Sequence, residues 1–163
     1  VGENPKIALY EEDLYEKAEQ KDESRRFVVF RVVREWFGVD IAKVREVIEG
    51  EKITPVPSAP PHIAGIFSLR GNILSATDLR SIFHFSREKS CGPTTLVIVK
   101  SGILETGLLA DEIEEPMEVP LSGIDPALST LSPEQSECIE GQFKIGKKLV
   151  GVLKVEKILG KNH

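Results

Sequence analysis

Gly65-Ile66-Phe67-Ser68-Leu69-Arg70-Gly71-Asn72-Ile73-Leu74 is answered later in the chain by Gly141-Gln142-Phe143-Lys144-Ile145-Gly146-Lys147-Lys148-Leu149-Val150. In both stretches apolar residues alternate along two short runs, and the runs meet at a centre that carries a glycine, Arg70-Gly71-Asn72 or Gly146-Lys147-Lys148. That is the pattern of two half-buried strands joined by a tight turn. The correspondence runs without a gap from residues 65–83 to residues 141–159 at a constant offset of 76, with Phe67 over Phe143, Leu69 over Ile145, Ile73 over Leu149, Leu79 over Val155 and Ile82 over Ile158. Each copy closes on a short helical turn that begins near Asp78 or Lys154, and Asp78 is a good N-cap.

Upstream of each copy lies a second repeated element. Phe27-Val28-Val29-Phe30 followed by Gly38-Val39-Asp40-Ile41 is mirrored by Leu96-Val97-Ile98-Val99 followed by Gly107-Leu108-Leu109-Ala110, at an offset of 69. Phe27 to Val33 reads as a strand, Arg34-Glu35 as a turn and Trp36 to Ile41 as the returning strand. The difference between the two offsets falls in the linker of the second copy, where Pro116, Pro120, Pro126 and Pro133 with Gly123 and several serines predict a long loop. The expected fold is therefore mainly β: two similar lobes from an internal duplication, each of four or five short strands with short helices. Strands this short favour small closed barrels, which leave no exposed edge, with an apolar groove between them suited to a partner helix or hairpin.

The expected boundaries are an acidic leader at 1–26, flexible or helical, a folded region at 27–159 and a tail at 160–163. The first lobe takes roughly 27–90 and the second roughly 91–159. The leader carries Glu11, Glu12, Asp13, Glu16, Glu19, Asp22 and Glu23 without an apolar stretch of the kind a secretory signal needs. Across 163 residues, 40% hydrophobic and 29% charged, no apolar run approaches the roughly 20 residues that cross a bilayer. Cys91 and Cys138 alone form no disulfide framework, and with the unsuited leader they indicate a reducing, cytoplasmic setting. A net charge of -5 argues against a nucleic-acid surface, which needs clustered Lys and Arg. The chain opens on Val1 rather than Met, which points to a trimmed or excerpted chain.

Catalysis and metal binding require convergent groups, and the sequence does not offer them. His62 follows Pro60-Pro61, His84 sits between Phe83 and Phe85, and His163 is terminal, so loop, turn and tail are their expected roles. The cysteines lack C-x-x-C spacing. Asp111-Glu112 and Glu114-Glu115 are expected to form a solvated acidic face. Gly65 and Gly71 are separated by a strand and make no phosphate loop.

The blocks Phe37-Gly38-Val39-Asp40-Ile41, Lys43-Val44-Arg45-Glu46-Val47, Pro55-Val56-Pro57-Ser58-Ala59-Pro60-Pro61, Gly65 to Leu74 and Thr77-Asp78-Leu79-Arg80 resemble, in order and spacing, the successive blocks of the CheW-like family of chemotaxis coupling proteins. Gly107 to Ile113 and the closing Val155-Glu156-Lys157-Ile158-Leu159 continue the resemblance, which spans nearly all of Phe27 to Leu159 and is most specific at Leu69-Arg70-Gly71-Asn72-Ile73. It departs at Leu74-Ser75-Ala76-Thr77, where a more apolar run is usual and looser packing is expected, at Lys154 in place of an aspartate, and at Ser68 in place of a frequent asparagine.

The resemblance implies two SH3-like five-stranded β-barrels and a non-enzymatic scaffold without cofactor. It implies a bridge between the cytoplasmic tip of a methyl-accepting chemoreceptor and the regulatory domain of a CheA-type histidine kinase. Such a protein is cytoplasmic, is recruited to membrane-associated receptor arrays and is a monomer in dilute solution. Its partner-binding residues fall on Val44, Glu46, Gly65, Leu69, Arg70 and Gly71, and the planar fork of Arg70 suits a carboxylate, so Arg70 and Glu46 are expected to lie together. Two other readings stand beside this one. The chain is a CheW-like domain excerpted from a larger signalling protein, such as a coupling protein with a receiver domain or the kinase's own regulatory region. Otherwise it is an unrelated barrel enzyme or metal protein using Asp111, Glu112 and His62.

Overall fold

The computed structural model describes residues 23–85, 94–126 and 132–162. The expectations for residues 1–22, for Cys91 and for His163 lie outside the described residues. The described residues are mostly strand: β1 (Ser24–Val32), β2 (Glu35–Asp40), β3 (Val44–Glu49), β4 (Ile63–Leu69), β5 (Asn72–Thr77), β6 (Thr95–Ser101), β7 (Leu104–Ala110), β8 (Glu112–Ile113), β9 (Met117–Pro120), β10 (Ile139–Ile145) and β11 (Lys148–Leu153). Among the described residues three short α-helices accompany them, α1 (Leu79–Ile82), α2 (Pro133–Cys138) and α3 (Val155–Lys161).

These strands form two sheets, one ordered β10-β11-β2-β1-β8 with β9 also on β1, the other ordered β3-β6-β7-β5-β4. Neither sheet is built from one half of the chain. The stretch 27–90 sends β1 and β2 to the first sheet and β3 to β5 to the second, while 91–159 sends β6 and β7 to the second and β8 to β11 to the first. The exchange rests on two parallel pairings that repeat each other: Ala76 lies opposite Gly107, and Val152, 76 residues after Ala76, lies opposite Gly38, 69 residues before Gly107. The hairpins repeat as well. Val28 faces Val39 as Val97 faces Leu108, and Gly65 faces Ala76 as Gly141 faces Val152, with a register shift just before each glycine.

The exchange explains why β1 and β6 are apolar on both faces. In β1, Phe27 and Val29 enter the first sheet's own core with Phe143, Val150 and Val152, while Val28, Phe30 and Val32 face the other way. In β6, Leu96 and Ile98 join Phe67, Leu69 and Ala76 in the second sheet's core, while Val97 and Val99 turn outward from it. The outward sets meet in a third core between the sheets, sealed by Leu79 and Ile82 of α1, Cys138 of α2, and Val155, Ile158 and Leu159 of α3. Strand alternation alone thus serves two cores at once.

Three local expectations change. The first turn falls on Val33-Arg34, one residue early, because the Val33 N–H donates to Asp111 Oδ2 at 2.6 Å and its carbonyl accepts from Arg31, which holds a β-branched residue at φ 59°. The long loop contains β9 and also α2, whose Ser132 hydroxyl accepts from Gln135 N–H while the Gln135 side chain accepts from Ser132 N–H. The polar run at Ser75-Ala76-Thr77 is not loosely packed. Thr106 on β7 bonds the Ser75 and Thr77 hydroxyls at 2.9 and 2.8 Å, and Ala76 and Thr77 are fully buried.

Candidate functional site

The turn between β4 and β5 has two residues, Arg70 at φ 50° and Gly71 at φ 84°. Positive φ at both centres twists the chain in the sense that matches the flanking strands, which is why a glycine sits there. Leu69 just before the turn is buried in the second sheet's core, so the strand anchors inward as the turn projects Arg70 outward. From β3, Glu46 meets it: Arg70 Nη1 donates to Glu46 Oε2 at 2.8 Å and Nη2 to Oε1 at 3.1 Å. The Arg70 side chain remains 67% exposed and that of Glu46 20%. A fork-to-fork pair of this kind fixes both groups in orientation while leaving edges of the guanidinium for another acceptor.

The other expected site residues shape this face from below. Gly65 passes directly against the chain before β4, where an added Cβ would lie 2.3 Å from the carbonyl oxygen of Thr54 and 2.8 Å from Ile53 Cγ2. Val44 is half-buried against the core between the sheets and opposite Val99. Gly71 has open space around it, so its positive φ is its whole requirement. The structure therefore brings Glu46 and Arg70 together at the surface and places Val44, Gly65, Leu69 and Gly71 as supports. On the same hairpin Ile73 of β5 is 70% exposed, while Val47, opposite Val97, lies on the other face of β3 from Glu46. The exposure of Ile73 was not evident from the sequence, although the residue stands beside a tight turn, opposite Ser68 on the outward side of the hairpin.

The residues of the metal or enzyme reading have separate tasks. The His62 ring Nε2–H donates to the carbonyl of Lys161 at 3.2 Å, Asp111 holds the Val33 turn, and Glu112 pairs with Arg31 at 3.1 Å. Among the described residues there is no group of three or more His, Cys, Asp or Glu side chains that could hold a metal ion. Cys138 is fully buried, and burial pushes its thiol pKa up. No helix among the described residues is long and apolar enough to cross a membrane.

Fold and site together define a small two-sheet module that displays one oriented ion pair at the tip of a hairpin. The CheW-like domain family matches residues 26–163. The chain is 30% identical over 146 residues to the chemotaxis protein CheW of Helicobacter pylori, covering 90% of this chain and 88% of that protein. It is 32% identical over 110 residues to protein FrzA of Myxococcus xanthus, covering 67% and 68%. Among solved structures, the scaffolding protein TtCheW from Thermoanaerobacter tengcongensis matches with a TM-score of 0.71 at 29% identity, over 80% of this chain and 88% of that one. This chain belongs to the CheW-like family. It is a non-enzymatic scaffold of chemotaxis signal transduction, linking receptors to the kinase CheA.

Proposed function

We propose that the edge strand β3 and the tip of the β4–β5 hairpin form the face through which this chain engages its partners, with Glu46 and Arg70 at its centre. The partners are the regulatory domain of a CheA-type histidine kinase and the cytoplasmic tip of a methyl-accepting chemoreceptor. The observation that carries this reading is the two-bond pair itself, held in one orientation on an exposed surface at the tip of the β4–β5 hairpin. An ion pair this open to water contributes little to stability and is better used in recognition. Val44, Gly65, Leu69 and Gly71 serve the same face by fixing the strands that present it.

The two sheets are read as SH3-like barrels descending from one duplicated unit, which the matched registers at offsets of 69 and 76 support. The protein acts in the cytoplasm as a monomer when dilute and joins membrane-associated arrays through its partners. Titration calorimetry of the chain against the regulatory domain of a CheA-type kinase from the same organism tests the reading. Binding at micromolar affinity or tighter, lost in a folded Arg70→Ala variant, is expected. Unchanged affinity in that variant would move the contact to another surface.

A further inference from the structure

Regular alternation would place Val44 and Glu46, two residues apart, on the same face of β3. They lie on opposite faces. Val44 is opposite Val99 and packs on the core between the sheets, while Glu46 is opposite Ile98, which belongs to the second sheet's own core, and reaches Arg70. The extra residue that makes this possible is Arg45, which sits in the register shift between them. Among the described residues β3 lies at the end of its sheet's strand order, paired with β6 alone, so the sheet holds this bulge from one side.

Arg45 is itself tethered. Its Nη1 donates to both carboxylate oxygens of Glu105, at 2.9 and 2.8 Å, near the tip of the β6–β7 hairpin. The two side chains are more covered than Arg70, at 33% and 22% exposure. Charges thus alternate through Glu105, Arg45, Glu46 and Arg70, and the tether crosses from β3 over β6 to β7.

We propose that Arg45 and Glu105 are a positioning pair: their contact pins the β3 bulge and so sets the Glu46 carboxylate where the Arg70 fork can take it. Glu105 then governs the geometry of a face it does not itself form. Without the tether, β3 can return to plain alternation, a one-residue adjustment that draws Glu46 away from Arg70 or Val44 out of the core. The consequence for partner affinity rests on the proposed function, whereas the consequence for the Glu46–Arg70 contact does not.

The test is Glu105→Gln in the full chain, read first by the side-chain 1H–15N signals of Arg70. In the wild type the two-bond contact restrains the guanidinium and keeps its Nη protons distinct. Glu105→Gln is expected to average them as Glu46→Gln does, and the charge-swapped variant carrying both Arg45→Glu and Glu105→Arg is expected to restore them. Affinity for the kinase regulatory domain is expected to fall roughly threefold to tenfold in Glu105→Gln, and to fall no further in the variant combining Glu46→Gln and Glu105→Gln than in Glu46→Gln alone. Distinct Arg70 signals in Glu105→Gln, failure of the charge swap to restore them, or additive losses of affinity would each overturn the proposal. A wild type that binds no kinase domain would refute the proposed function, and the Arg70 signals would still decide this point.

Discussion

Arg70 and Glu46 meet across 24 residues of sequence through two hydrogen bonds, yet two-thirds of the arginine side chain stays in water. An ion pair screened this way adds little to folding, so Arg70→Ala is expected to change stability by no more than about 1 kcal/mol. Its affinity for the kinase regulatory domain is expected to fall at least about tenfold, as for an anchor at the centre of an interface. Thermal unfolding beside calorimetry checks both halves. A variant that unfolds early would make the pair structural, and one that binds unchanged would remove it from the interface.

Gly65 and Gly71 share one block of sequence and are expected to fail in different ways. At Gly65 an alanine would drive its Cβ into the Thr54 carbonyl at 2.3 Å, and a backbone oxygen cannot step aside. Gly65→Ala is therefore expected to lose at least about 2 kcal/mol of stability. Gly71→Ala meets nothing within 4 Å and carries only the strain of φ 84°, about 1 kcal/mol. Urea midpoints at constant slope separate the two. An equal loss in both would mean that the chain before β4 moves away from Gly65 easily.

The repeat was readable because its hairpins declare themselves by alternation: Phe67 and Leu69 pair in register with Leu74 and Asn72, as Phe143 and Ile145 do with Val150 and Lys148. The exchange of hairpins between sheets was not. Phe27 to Phe30 and Leu96 to Val99 look like strands buried on both faces, but nothing local says which hairpin lies beside β2 or β7, since parallel pairing is decided between distant segments. At the site, the closeness of Arg70 and Glu46 followed from chemistry that asks a guanidinium for a carboxylate. The bulge at Arg45 left its mark only in the broken alternation of Val44-Arg45-Glu46-Val47, whose valines stand three apart, and such a break does not by itself say which residue bulges. Helix α2 was legible in principle, since Ser132 and Gln135 stand at capping-box spacing within the proline-rich stretch.

The core between the sheets draws on both sheets and on α1, α2 and α3, so the molecule is expected to unfold as one unit. Ile158 of α3 is fully buried there and is not part of the proposed face. Ile158→Ala is expected to lower stability by about 2–5 kcal/mol while keeping a single transition by both near- and far-ultraviolet circular dichroism. Two separated transitions would show that each sheet's own core, around Phe143 or around Phe67, suffices to hold that sheet.

Cys138 ends α2 beneath that core, and its carbonyl accepts the Lys154 N–H at 2.7 Å, so it is reached only when α2 and α3 part. In a Cys91→Ser background, alkylation by iodoacetamide is expected to follow global unfolding and to accelerate steeply with urea. Its acid–base behaviour gives a second check. Burial raises the native thiol's pKa, so above the ordinary thiol value the unfolded chain has released a proton that the folded chain still holds. The sign is then fixed: this contribution is whole below the unfolded pKa and is lost as pH climbs from there through the raised native value. As pH rises above the ordinary thiol pKa of about 8.5 the stability of the wild type is expected to decline faster than that of Cys138→Ala, which has no proton to lose. Parallel curves would mean that the thiol ionises as readily folded as unfolded, and fast alkylation without urea would mean that α2 opens independently of the core it covers.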